Sequence, residues 1–145
     1  PAAVTAAFGA HVVQCEADQL LPIYREVDPA GAEVTEMKRR ILSFFDTPDP
    51  VSDPLTEKLT EADLETAAVV AVTLERYIAL KHLDGLAYYY EAEPGSLLRR
   101  IVTNFIVGNS LLTAAGFPMC GEFDIKTCIA MLIFDRLEAT TGRIT

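Results

Sequence analysis

Tryptophan is absent from this chain, histidine occurs twice and cysteine three times. His11 opens a valine-rich stretch and His82 falls in the last turn of an expected helix, both ordinary structural positions. The chain therefore does not supply a histidine-rich metal centre on its own. Cys15, Cys120 and Cys128 form no CxxC pair and lie in apolar segments, which points to a reduced, cytoplasmic setting. Basic residues are also scarce, 12 against 21 acidic ones, for a net charge of −9. That balance repels phosphate backbones and anionic lipid surfaces, so neither nucleic acid nor a membrane is expected as a partner. No uncharged apolar run approaches the ~18 residues of a membrane span. The first residues, PAAVTAAFGA, lack the basic region of a signal peptide. Missing too are GxGxxG, GxxxxGK[ST] and GxSxG, which removes a self-contained dinucleotide site, a P-loop and the hydrolase elbow.

Apolar residues, by contrast, are abundant. Half of the 145 residues are hydrophobic, and a chain of this length buries roughly two thirds of its unfolded surface. One domain over residues 1–145 is expected. The chain starts at Pro1 rather than Met, and its last residues, TTGRIT, read as the approach to another strand. A piece of a longer protein is the expectation.

Along the chain, residues 1–8 read as the end of a helix closed by Gly9. HVVQCE (His11–Glu16) reads as a buried strand, and Asp18 is placed to cap the helix that follows. DPAGAEV is a turn. Val34, Met37, Ile41 and Phe44/Phe45 then form a helical stripe, with Lys38, Arg39 and Arg40 on the wet side. Pro48, Pro50 and Pro54 mark a loop. Thr60 with Asp63 resembles a capping box, opening a helix whose apolar face is Leu64, Ala67/Ala68, Ala71, Leu74 and Ile78. Lys81 and His82 suit its last turn, and Asp84-Gly85 ends it. LAYYYEAE is a strand by propensity. The next helical run, from Ser96, is expected to break at Gly108-Asn109-Ser110. FPMCGE is the third strand, followed by an amphipathic helix through Ile125, Ile129, Leu132, Ile133 and Leu137. A final strand is expected from Arg143. Strands separated by crossovers of this length pair in parallel. The expected fold is therefore α/β: a three-layer Rossmann-like domain with a short parallel sheet.

In such sheets ligands bind beyond the carboxyl ends of the strands. Each expected strand ends in acid: Glu16 and Asp18, Glu91 and Glu93, Glu122 and Asp124. Helix capping accounts for Asp18 and Asp124 taken singly. Glu122 precedes the cap and follows Gly121, which lets the backbone approach closely. A carboxylate there can hold a divalent cation or serve as a general base.

The segment GNSLLTAAGFPMCGEFDIKTCIAMLIFDRL resembles the L-arabinose/L-fucose isomerase superfamily, the arabinose-isomerase branch in particular. The family's pattern is a short apolar strand, then Gly-Glu-Gly-Asp, an aromatic or aliphatic residue, Lys-Thr and an amphipathic helix. Gly121, Glu122, Asp124, Lys126 and Thr127 match it. FGAHVVQCEADQLL and LDGLAYYYE have the character of the family's central Rossmann-like domain. The resemblance implies a metal-dependent aldose–ketose isomerase acting on a small sugar, with Glu122 as both metal ligand and acid/base residue. It implies Mn²⁺ as the cation, Asp124 and Lys126 as groups orienting the site, and Tyr90 lining the sugar pocket. It also implies a homo-oligomer with shared active sites, whose second glutamate and histidine ligands lie outside this chain. Phe123 departs from the pattern, since it stands where the family has glycine. A non-catalytic sugar-binding or assembly module on the same fold is the alternative.

Overall fold

The computed structural model describes residues 2–49 and 51–142. Among them the chain forms seven α-helices and one two-stranded parallel sheet: α1 (Ala2–Phe8), α2 (Leu20–Glu26), α3 (Ala32–Phe44), α4 (Glu61–Lys81), β1 (Leu86–Ala87), α5 (Leu97–Thr103), α6 (Phe105–Ala114), β2 (Met119–Cys120) and α7 (Ile125–Thr141). This overturns the expected three-layer Rossmann-like domain: the fold is mostly helical and the sheet is minimal. Arg143, where a final strand was expected, lies outside the described residues.

The centre of the molecule is α4, not a sheet. Every residue from Ala67 to Leu74 is buried. The expected single apolar face of α4 is thus an apolar girdle, the pattern of a helix enclosed on several sides. Val34, Met37 and Ile41 of α3 pack with Ala68, Ala71 and Val72 on one side, joined by Leu111 of α6. Leu20 of α2, Ile101 and Val102 of α5, Phe105 of α6 and Met119 of β2 pack with Val70, Leu74 and Tyr77 on the other. Each fully buried aliphatic side chain contributes about 1.5–3 kcal/mol. Thr73, the one buried polar core residue among the described residues, satisfies its hydroxyl by donating to the Val69 carbonyl at 2.7 Å.

The helix ends follow local chemistry. The Thr60 hydroxyl accepts from the Asp63 N–H at 3.2 Å, and the Asp63 carboxylate accepts from the Thr60 N–H at 2.9 Å, a reciprocal capping box. At the other end α4 stops at Lys81, earlier than Asp84-Gly85. His82 takes the left-handed conformation (φ 52°), and the Leu83 N–H closes back on the Ile78 carbonyl at 3.2 Å. Gly9, also left-handed, closes α1 through its N–H to the Thr5 carbonyl at 2.9 Å. Asp18 makes no cap; it lies in a short 3-10 turn (Ala17–Gln19) that leads into α2.

Three expected strands reduce to two short ones. His11–Glu16 forms no strand, and Val13 is exposed. Strand propensity needs a neighbour to become a strand, and α4 occupies the place a sheet would take. LAYYYEAE is strand only at Leu86–Ala87, in register with Met119 and Cys120. The limit is set by the partner segment, where Pro118 has no N–H to give and the chain turns away at Gly121.

The expected break at Gly108-Asn109-Ser110 does not occur. The helical run divides instead at Asn104, whose N–H bonds to Ile101. Gly108 serves contact: a Cβ there would sit 3.2 Å from Leu74 Cδ2 and 3.4 Å from Ala71 Cα. It lets α6 close on α4. No helix among the described residues is long and apolar enough to cross a membrane.

Candidate functional site

β1 and β2 run parallel, joined by the crossover α5–α6, so their carboxyl ends open on the same side. Past that edge the two chains remain tied. Tyr88 N–H donates to the Cys120 carbonyl at 2.8 Å, and Phe123 N–H donates back to the Tyr88 carbonyl at 2.9 Å. The turn between β2 and α7 closes through Asp124 N–H to the Gly121 carbonyl at 3.0 Å. Its two central residues, Glu122 (φ 58°) and Phe123 (φ 53°), both adopt the left-handed conformation. That costs a side-chain-bearing residue roughly 1–2 kcal/mol. Strain of this kind persists only where surrounding bonds over-determine it, and here the Tyr88–Cys120–Phe123 bonds do so. Gly121 is not where the backbone makes a close approach, because a Cβ there would meet open space.

The two acids of the turn divide their roles. Asp124 is the N-cap of α7: its carboxylate accepts from the Thr127 N–H at 3.0 Å and from the Thr127 hydroxyl at 2.6 Å. Those bonds, the hydroxyl's first, hold its carboxyl below the usual carboxylate range, with the neighbouring Lys126 charge adding to the effect. Lys126 itself is exposed. Glu122, one residue before Phe123, is exposed and takes no part in the cap.

Tyr90 meets Glu122. The neighbouring carboxylate, as an acceptor for the phenol and by its negative charge, pushes the Tyr90 pKa above the ordinary tyrosine value. Tyr89 stacks on Tyr90 (centroids 5.2 Å apart) and on Phe123 (5.4 Å, planes 18° apart). Tyr88 turns inward, where its hydroxyl accepts from Asn109 Nδ2 at 3.2 Å and its ring packs edge-on against Phe105. The three consecutive tyrosines thus divide between an inward anchor and two outward rings.

Of the acids expected along one sheet edge, Glu91 and Glu122 fall on segments leaving that edge. Glu16 does not, because no strand forms before it. Glu91 pairs with Arg99 of α5, so its charge is engaged. The exposed stack of Tyr89 on Phe123 was missed in the sequence; its signal is an aromatic run after one strand facing an aromatic in the turn after the next.

A divalent cation needs several convergent oxygen or nitrogen ligands. Among the described residues no group of three or more His, Cys, Asp or Glu is arranged to hold one. Glu122 is a single carboxylate and Asp124 is committed to its cap, so these residues do not by themselves fit Mn²⁺. Comparison with protein-family models, with curated proteins and with solved structures finds no match for this chain.

Proposed function

We propose that this chain contributes the proton-handling carboxylate, Glu122, to an aldose–ketose isomerase acting on a small sugar, as its resemblance to the arabinose/fucose isomerases implies. The observation that carries the proposal is the turn itself. A carboxylate is held at energetic cost in left-handed backbone, beyond the carboxyl ends of two parallel strands and beside the Tyr90 phenol, whose pKa it raises.

Isomerisation moves the carbonyl of the sugar from C1 to C2 without any external oxidant. The C2 proton passes to the Glu122 carboxylate, leaving an enediol, and the carboxyl, open to exchange with water, delivers a proton to C1, while the O2 hydroxyl proton is transferred to O1. Tyr90, as a donor on the carboxylate, fixes the direction in which the acid presents its free oxygen. Asp124, through Thr127, fixes where α7 starts and hence where the turn sits. A positioned base of this kind contributes about 10²–10⁴-fold. The cation implied by the resemblance, Mn²⁺, would need ligands from outside the described residues. A second copy is part of the proposal: α7 exposes Ile133, Phe134 and Leu137, apolar side chains suited to a shared interface. The three free thiols fit a reducing, cytoplasmic setting. That same exposed face is what favours the second reading, a non-catalytic sugar-binding or assembly module.

The test is turnover of L-arabinose and L-fucose by the full gene product and by its Glu122→Gln variant. The amide keeps the shape and loses the base, so the expected loss is at least about 10²-fold. Turnover by the variant near the wild-type rate removes the catalytic role.

A further inference from the structure

Phe123 is 64 % exposed and lies next to the proposed base in the chain. Its ring is not loose. It stacks nearly parallel on Tyr89, which in turn stacks on Tyr90. Glu122 and Phe123 are neighbours in the chain, as are Tyr89 and Tyr90, and the Phe123–Tyr89 stack joins the two pairs. The backbone bond from Phe123 N–H to the Tyr88 carbonyl fixes the two segments together. The result is an exposed, flat aromatic surface, Phe123 on Tyr89, next in the chain to a carboxylate acceptor.

We infer that Phe123, backed by Tyr89, is the substrate-selecting surface of this site and stacks on the C–H face of a sugar ring whose hydroxyls bond to Glu122. The negative face of an aromatic ring attracts the weakly positive C–H bonds on one side of a sugar ring. A neighbouring carboxylate accepts from the sugar's hydroxyls, as polar groups at the side of an apolar site fix a ligand's orientation. A cationic ligand is matched less well, because parallel rings present one outward face rather than the enclosing cage that such ligands use. The nearby Glu91 charge is in any case already taken by Arg99. This inference rests on the proposed function for its class of ligand, but it concerns binding rather than proton transfer. A sugar with a continuous C–H face, such as the 6-deoxyhexose L-fucose in its ring form, is preferred over the pentose L-arabinose.

The experiment titrates the 145-residue chain with L-fucose, with L-arabinose and with tetramethylammonium, following the backbone amide shifts of Tyr89 and Phe123 by NMR. Saturable millimolar binding is expected, tighter for L-fucose. Phe123→Gly and Phe123→Leu are expected to weaken it about three- to tenfold, the range for loss of one aromatic contact, while Phe123→Tyr preserves it. Undiminished affinity in Phe123→Gly and Phe123→Leu overturns the inference, as does the absence of a saturable shift with either sugar. Binding of tetramethylammonium alone overturns it in favour of a cationic partner. The amide spectra report whether each variant is folded. Sugar binding that depends on Phe123, in a gene product that turns over neither sugar, leaves this surface standing and removes the isomerase. Turnover with unchanged affinity in Phe123→Gly does the reverse.

Discussion

The backbone N–H of Phe123 donates to the carbonyl of Tyr88 at 2.9 Å, across the carboxyl ends of the two strands. That bond ties the turn after β2 to the segment leaving β1. Through it, the direction of Tyr89 and Tyr90 and the direction of Glu122 are set together. Both residues at the centre of the turn are left-handed without being glycine, so the turn is held against its own local preference.

Relief of that strain is measurable. Glu122→Gly places the residue best suited to positive φ at φ 58° and is expected to raise stability by about 1 kcal/mol, the cost of left-handed backbone to a residue with a Cβ. Phe123→Gly gains as much but loses the Tyr89 stack, worth about 0.5–1.5 kcal/mol, so it is expected to be close to neutral. Urea denaturation of the two variants checks this. A destabilised Glu122→Gly would mean that the carboxylate supports the fold.

Asp124 sets an acid-side dependence. Its carboxyl is held below the usual range by Thr127. A carboxyl depressed in the folded state stabilises the fold above its unfolded pKa, about 3.9, and that contribution is lost as pH falls through the lower folded value. Asp124→Asn caps about as well at neutral pH but cannot titrate. The expected outcome is similar melting of variant and wild type at pH 7, with a smaller loss of stability in the variant between pH 5 and pH 2. Parallel pH profiles would show that the cap does not depend on charge.

Gly108 offers the sharpest packing test. Leu74 and Ala71 lie at contact distance from the position a Cβ would take. Gly108→Ala gains helix propensity of about 1 kcal/mol against a tight but yielding neighbour, so its net effect is small. Gly108→Leu forces α6 from α4 and is expected to cost about 1–3 kcal/mol, read from the midpoint of denaturation. A Leu variant as stable as wild type would mean that the two helices are not closely packed at this point.

What the sequence disclosed here was local chemistry. The Thr60–Asp63 box, the Gly9 stop, the Asp124 cap and the Val34–Met37–Ile41 part of the α3 stripe all depend on residues within a turn or two of one another and appear as read; Phe44, expected in that stripe, is exposed. Long-range competition was not legible. His11–Glu16 carries the composition of a strand, yet it forms none, because the helix with apolar residues on every side takes the centre. Gly108 has the composition of a break, but its meaning is set by Leu74 and Ala71, distant in the chain. At the candidate site, Glu122 stood out by its place before the cap. The outward Tyr89 and Phe123 rings did not, since their stacking follows from a parallel pairing of only two residues on each side.

The thiols are expected to differ in reactivity. Burial pushes Cys128 up to about 11 and also raises Cys120, while Cys15 is only half-buried. Thiolate is the reactive form, so iodoacetamide at pH 8 should modify Cys15 first and leave Cys120 and Cys128 protected until the chain is unfolded. Early labelling of Cys128 in the native protein would show that the β2–α7 region opens.

The most direct measurement of the role given to Glu122 is the loss of the C2 proton of L-fucose and L-arabinose to solvent deuterium, followed by NMR with the full gene product. An exposed carboxylate that removes this proton exchanges it with water before returning it, so washout at C2 and deuterium at C1 of the ketose are expected from the wild type. In Glu122→Gln both should fall by at least about 10²-fold. Washout at the wild-type rate in that variant, or its absence from a wild type that turns the sugar over, would contradict the assignment of Glu122 as the base.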